Sequence, residues 1–226
     1  MSAIEKDFDR LALLDTGGWT QNNYYHNLLL RYIPTPCGRA LEIGCGTGAF
    51  SRKLARRAQE VVALDLSAEM IRVARSHSAA SINLQFQVAD FMTWDGAGSF
   101  DCIATIAALH HLPARAAFEK LKTHLRPGGV LIILDLFEPE RNLLTLNGVL
   151  DATLNVSAMA VSGGLRLLHN GRLKPPRAVR AAWEEHGKTD TYLTMNELKR
   201  LAGKIFPGSE IRKRLLWRYS LIWRKA

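Results

Sequence analysis

Short apolar runs alternate with helical periods through the first 136 residues. RALEI, EVVALDL, INLQFQVAD, FDCIATIA and GVLIILDL are strand-like, being unbroken or alternating apolar stretches of strand length. Between them SRKLARRA, AEMIRVARSHS and ARAAFEKLKTHL repeat apolar positions at helical spacing. Strands that alternate with helices predict an α/β fold with a doubly wound, mostly parallel sheet. The punctuation agrees. Ser67 is placed to cap the second of these helices and Pro113 to open the third, while Pro127-Gly128-Gly129 ends that helix and turns the chain into the fifth strand.

The rhythm changes after Asp135. Residues of about 138 to 190 form a mixed apolar and basic stretch containing Pro175-Pro176, read as an insertion after strand five. Thr194-Met195-Asn196-Glu197 then makes a capping box for one more helix. SEIRKRLL and LLWRYSLIW follow as a final antiparallel pair, which brings the sheet to seven strands with an antiparallel last strand. A chain of 226 residues is large enough to bury a proper core and requires no second one. The expected organisation is a single domain over 1–226, with N-terminal lid helices in 1–35, a ligand-binding core in 36–136, a cap insertion in 137–190 and the C-terminal helix and strand pair in 191–226.

Charge alters this picture in one region. The formal net charge is +9, yet Lys and Arg balance Asp and Glu at 16 each through residue 171 and outnumber them 14 to 5 from residue 172 onward. Clustered positive charge attracts polyanions, so nucleic acid or an acidic substrate is one reading. The blander reading is a solvated strand face whose arginine stems cover apolar neighbours. The N-terminus has no apolar leader segment and no later stretch has the length of a membrane helix, so a cytoplasmic protein with no membrane partner is expected. Cys37, Cys45 and Cys102 lack CxxC spacing and suggest neither a disulfide framework nor a metal site.

The stretch ALEIGCGTG at 40–48 poses the chemical question. Gly44, Gly46 and Ala49 satisfy G-x-G-x-x-A, and Asp65 follows about 20 residues on, where dinucleotide folds place a ribose-binding acid. Glycines let backbone approach a ligand, and an acid ending strand two can accept from ribose hydroxyls, so the motif alone fits either a pyrophosphate dinucleotide or an adenosyl sulfonium. Glu42 and Asp90 add two more acids at strand ends. Three carboxylates favour a cationic nucleoside over a pyrophosphate.

LEIGCGTG, LDLSAEMI, VADF, FDCIATIAALHHL and LRPGGVLIILD, in that order across about residues 38–136, resemble the successive motifs of class I S-adenosylmethionine-dependent methyltransferases, and among these the small-molecule group that includes the ubiquinone and menaquinone biosynthesis enzymes. The resemblance implies a Rossmann-like sheet, S-adenosyl-L-methionine as cofactor and a small organic acceptor, such as one of secondary metabolism. It places Glu42, Gly44, Cys45, Gly46 and Thr47 at the methionine end, and Asp65 at the ribose with Leu66 and Met70 flanking the adenine. Asp90 and Phe91 fall at the adenine edge and Ile106 on the methionine moiety.

Methyl transfer asks for in-line positioning, and for a base only where the acceptor must lose a proton. His110 and His111, after strand four, are the candidates for that base. The helix containing Asn22, Tyr24, Tyr25 and His26 resembles the lid of related enzymes, with Trp19, Tyr24 and His26 expected in the acceptor pocket. Trp183, His186 and Asp190 of the insertion are further pocket candidates. Two alternatives stay open: an RNA methyltransferase using the basic last quarter, against which stands the lack of an Asn-Pro-Pro-Tyr-type tetrapeptide after strand four, and a binding module without turnover. A monomer or a homodimer is expected, with no metal.

Overall fold

The apolar runs become strands because both of their faces are covered. Every residue of β4 (Phe100–Ile106) is buried, as are Val130–Asp135 of β5 (Leu125–Leu136), which is why these read as continuous hydrophobic stretches rather than alternating ones. The computed structural model describes residues 3–14, 18–96, 98–140, 144–188 and 190–226. With β1 (Arg39–Ile43), β2 (Glu60–Asp65), β3 (Leu84–Val88), β6 (Glu210–Arg214) and β7 (Arg218–Arg224), the strands form one seven-stranded sheet in the order β3-β2-β1-β4-β5-β7-β6. β1 to β5 pair in parallel, and β7 runs antiparallel to both β5 and β6.

Winding reverses between β1 and β4, the neighbours from which the chain proceeds to opposite sheet edges. A crevice outside the carboxyl ends of the strands at such a reversal is the ligand site of open α/β sheets. One face of the sheet packs Phe100, Ile103, Leu131 and Leu221 against Phe118 and Leu121 of α5 (Ala114–His124) and Leu198 and Ile205 of α8 (Met195–Ile205). The other packs Ala40, Cys102 and Ile132 against Tyr25 and Leu29 of α2 (Asn23–Leu29), Leu54 of α3 (Ser51–Leu54) and Ala158 of α6 (Leu146–Asn170). All three cysteines are free and buried.

Local chemistry sets the boundaries. Ser67 caps α4 (Ala68–Ser76) by accepting from Met70 N, and Thr194 with Glu197 forms the expected capping box on α8. Two boundaries differ from the sequence pattern. SRKLARRA holds only four helical residues, because Asn83 Nδ2 donates to the carbonyls of Ala55 and Ala58 at 2.8 and 2.9 Å and ends the helix there. β5 starts at Leu125, ahead of Pro127, and Gly128 and Gly129 join Lys225 by backbone bonds, with an irregularity opposite Phe100 and Cys102.

The insertion after β5 folds as α6 and α7 (Arg177–His186), which cap the carboxyl ends of the strands together with α1 (Ala3–Leu13) and α2. Several side chains of the basic last quarter are used within the fold, while others, such as Lys199, Arg200, Lys204 and Arg224, are exposed. Lys213 pairs with Asp151, Arg212 with Glu210, and Lys225 Nζ donates to the carbonyls of Lys122 and Leu125. Among the described residues no helix is long and apolar enough to cross a membrane.

Candidate active site

The turn after β1 is built by three glycines in left-handed backbone. Gly44, Gly46 and Gly48 have φ of 69, 52 and 75°, and the N–H groups of Gly44 and Cys45 both donate to Leu64 O at 2.9 Å, which fixes the turn against β2. A Cβ on Gly44 would stand 2.2 Å from Ala108 Cβ, whereas a Cβ on Gly46 would meet no atom within 4 Å. Gly46 therefore presents bare backbone to open space. Asp65 ends β2 beside it, its carboxylate accepting from Gly46 N at 2.8 Å and Ser67 N at 2.9 Å. Burial raises the Asp65 pKa and these backbone donors oppose the rise.

Glu42 is 2% exposed and accepts from Ser51 Oγ at 2.5 Å. Burial pushes its carboxyl up to about 8, with the Ser51 bond opposing and the nearby Asp65 adding to the rise. Cys45 is kept as a thiol by the same burial and by Asp65 and Glu42. Asp90 follows β3, exposed, with Oδ1 accepting from Met92 N at 2.8 Å.

After β4 the chain makes a strained turn. Ala107 has φ of 51°, uncommon for a residue with a Cβ, and delivers a 3₁₀ turn at Leu109–His111 over the crevice. His110 is held by Asp135 twice, through its backbone N–H at 3.0 Å and its Nδ1 at 2.6 Å. Asp135, 1% exposed, also accepts from Leu136 N at 2.7 Å. With Nδ1–H given to the carboxylate, Nε2 of His110 is left as the acceptor nitrogen. His111 has a pKa lowered to about 4, first by burial and then by His110, and its Nδ1 lies 3.4 Å from Asp190. Asp190 in turn accepts from Tyr192 OH at 2.8 Å. His110, His111 and Asp190 also offer donor atoms within 4.8 Å of one another, a spacing compatible with a metal ion.

These groups line one cavity of about 1410 Å³. That exceeds the roughly 300–1,000 Å³ of an ordinary single-ligand pocket and leaves room for two ligands side by side. Glu42, Gly44, Cys45, Gly46, Thr47, Asp65, Leu66, Met70, Asp90, Phe91 and Ile106 all border it, as do His110, His111, Trp19 and His26. His26 is 2% exposed, its pKa lowered to about 4 by burial and then by Lys53, and its Nδ1 has no hydrogen-bond partner among the described residues. Trp183, His186 and Asp190 border the cavity too.

Tyr24 does not. It is 47% exposed with its ring edge-on to Tyr25, while Tyr25 packs in the core and donates to Leu215 O at 2.6 Å. α2 turns Asn22 and His26, four residues apart, toward the cavity, and a residue midway between them points elsewhere. The acceptor pocket expected at Tyr24 is corrected accordingly. Asp135, Tyr192 and Arg218 were not anticipated. Asp135 carried the same signal as Glu42, an acid in an unbroken apolar run, which is costly to bury without a partner.

Known proteins bear out the class. A family described as a methyltransferase domain matches residues 40–129. An uncharacterized methyltransferase of Mycobacterium tuberculosis is 29% identical over 211 residues, covering 91% of this chain and 96% of the relative. A ubiquinone biosynthesis O-methyltransferase of Xylella fastidiosa is 28% identical, covering 80% of this chain and 77% of the relative. In fold, the chain is similar to the N-methyltransferase NodS of Bradyrhizobium japonicum, crystallised with S-adenosyl-L-homocysteine (TM-score 0.59, 18% identity, 99% of each chain). It is also similar to DhpI in its SAM–HEP complex (TM-score 0.63, 19% identity, 98% of this chain and 99% of that one). The sheet order, the glycine turn and these matches together support an S-adenosylmethionine-dependent methyltransferase.

Proposed function

We propose that the chain methylates an acceptor oxygen or nitrogen that must first lose a proton, with His110 as the base and Asp135 as its positioning partner. The observation that carries this is the 2.6 Å bond from His110 Nδ1 to a buried carboxylate, at the wall of a cavity large enough for two ligands. The cofactor end fits an adenosyl sulfonium on this chain's own chemistry. Gly46 leaves a cradle that a Cβ would fill, Asp65 and Asp90 are the acids we assign to the ribose and the adenine, and Glu42 is a buried carboxyl that borders the same cavity. Bound there, S-adenosylmethionine supplies an electrophilic methyl group. His110 Nε2 takes the acceptor's proton, the imidazolium is held by Asp135, and the lid and cap exclude water from the cavity.

The organisation that goes with this reading is one domain, 1–226, whose lid (1–35) and cap (137–190) close over the core (36–136), acting in the cytoplasm as a monomer or homodimer. Leu66, Met70, Phe91 and Ile106 flank the cofactor, and Trp19 and His26 border the acceptor. His111, neutral across the physiological range, shapes the pocket beside Asp190. The lack of an Asn-Pro-Pro-Tyr-type tetrapeptide after strand four disfavours an RNA acceptor.

The test is turnover with a proton-bearing acceptor found by panel screening. His110→Ala should lower kcat roughly 10²-fold or more, and Asp135→Asn by about as much, with S-adenosylhomocysteine affinity unchanged in both. His111→Ala should lose far less. Chelator treatment should leave the rate intact. A rate lost to chelation and restored by a divalent ion would reassign the His110, His111 and Asp190 cluster to a metal.

A further inference from the structure

Arg218 opens β7 at the point where that strand pairs Leu136 with Arg218 and Asp135 with Tyr219. Its side chain lines the cavity and is only 8% exposed. Nε and Nη2 both bond to Asn22 Oδ1, at 3.0 and 2.8 Å, and Nη1 reaches Leu216 O at 3.4 Å. Both partners are neutral, and among the described residues no carboxylate forms an ion pair with this guanidinium within 4.0 Å. Asp135, the largest charge acting on it, is already held by three donors, His110 N, His110 Nδ1 and Leu136 N. A buried cation with only amide and carbonyl oxygens about it retains much of its desolvation cost. An anion reaching it from the cavity would compensate the charge, and a guanidinium suits two oxygens of one group.

The rest of that wall points the same way. Arg166, Arg172, Lys174 and Arg180 border the cavity from the insertion, against Glu184 and an Asp190 already occupied by Tyr192 OH. Elsewhere the border carries Glu42, Asp65 and Asp90 together with Arg52, Lys53 and Arg56. The insertion thus adds three arginines and a lysine to the cations that border the cavity with Arg218.

From this we infer that the acceptor carries an anionic oxygen group, a carboxylate or a phosphoryl, seated on Arg218 while its proton-bearing atom faces His110. The inference rests on the division of the cavity into cofactor and acceptor ends given above. It also places four cations of the basic last quarter, Arg172, Lys174, Arg180 and Arg218, in substrate recognition.

Benzoate, phenyl phosphate and neutral benzamide test it, titrated by calorimetry into the full chain with and without saturating S-adenosylhomocysteine. One or both anions should bind at least about tenfold tighter than benzamide. Benzoate as the tighter anion indicates a carboxylate-bearing acceptor, and phenyl phosphate a phosphoryl-bearing one. Arg218→Gln should erase the preference. Should that variant lose its fold by circular dichroism, Asn22→Asp carries the test, because it keeps the guanidinium in place and supplies the missing carboxylate, and it too should erase the preference. Equal binding of benzamide, no binding of either anion to the wild type, or a preference that survives in a folded variant would overturn the anion seat. Loss of S-adenosylhomocysteine binding in the wild type would instead sink the cofactor reading, since the anion preference is read separately without it.

Discussion

At the scale of single residues, burial does most of the chemical tuning. Glu42 ionises near 4.5 in a solvated chain and near 8 when folded. A raised carboxyl contributes stability that is full below about 4.5 and is lost as pH rises through about 8. The ligand-free protein should therefore show a falling Tm between those values, and Glu42→Gln should flatten that part of the profile. A bound cation reverses the preference, since it favours the ionised carboxylate. Cofactor affinity should rise toward pH 8, by up to about tenfold per pH unit, as protons are released. Calorimetry in two buffers of different ionisation enthalpy checks this. Proton-independent binding would mean that Glu42 does not meet the cofactor's charge.

At the scale of elements, the turn after β1 separates two uses of glycine that look alike in GCGTG. Gly44 is needed for close packing, because its missing Cβ makes room for Ala108 and its φ is 69°. Gly44→Ala should destabilise the fold by about 2–4 kcal/mol, combining overpacking with left-handed strain. Gly46 has the same backbone hand but faces open cavity. Gly46→Ala should cost stability only about 1–2 kcal/mol and weaken S-adenosylhomocysteine binding tenfold or more. Thermal melts set beside binding isotherms distinguish them. If both variants lose stability equally and Gly46→Ala binds normally, the cradle is misplaced.

At the scale of the whole molecule, the cavity is closed by segments distant in the chain. Trp19 N donates to Asn170 Oδ1 at 2.9 Å and Asn170 Nδ2 donates back to Trp19 O at 3.0 Å, across 151 residues, while Trp19 stacks on His169. Gln21 reaches Ser162 and Asn22 reaches Arg218. The lid is thereby tied to the cap and to β7 as well as to its own neighbours, as by Thr20 to Asn23. Asn170→Ala removes two bonds worth roughly 1 kcal/mol each. Amide exchange over residues 18–23 should speed up several-fold while β4 and β5 stay protected. Unchanged exchange there would show that the tie does not hold the lid.

The sequence by itself determined the α/β alternation, the seven strands, the helix caps at Ser67 and Thr194, and the acids at the strand ends, because each is written in contiguous residues through periodicity or a local bond. It also marked His110 and His111, which stand at the end of a readable strand. It could not choose between them. That choice depends on Asp135, 25 residues away, reaching one imidazole and not the other. Tyr24 and His26 sit two residues apart in one helix, and which of them faces the cavity followed from how α2 packs on the sheet. The basic last quarter shows the same limit, since charge is visible in composition but burial is not. Only pairing β7 beside β5 brings the Arg218 guanidinium within the influence of Asp135, the carboxylate that holds His110, because a sheet register joins residues that no local pattern connects.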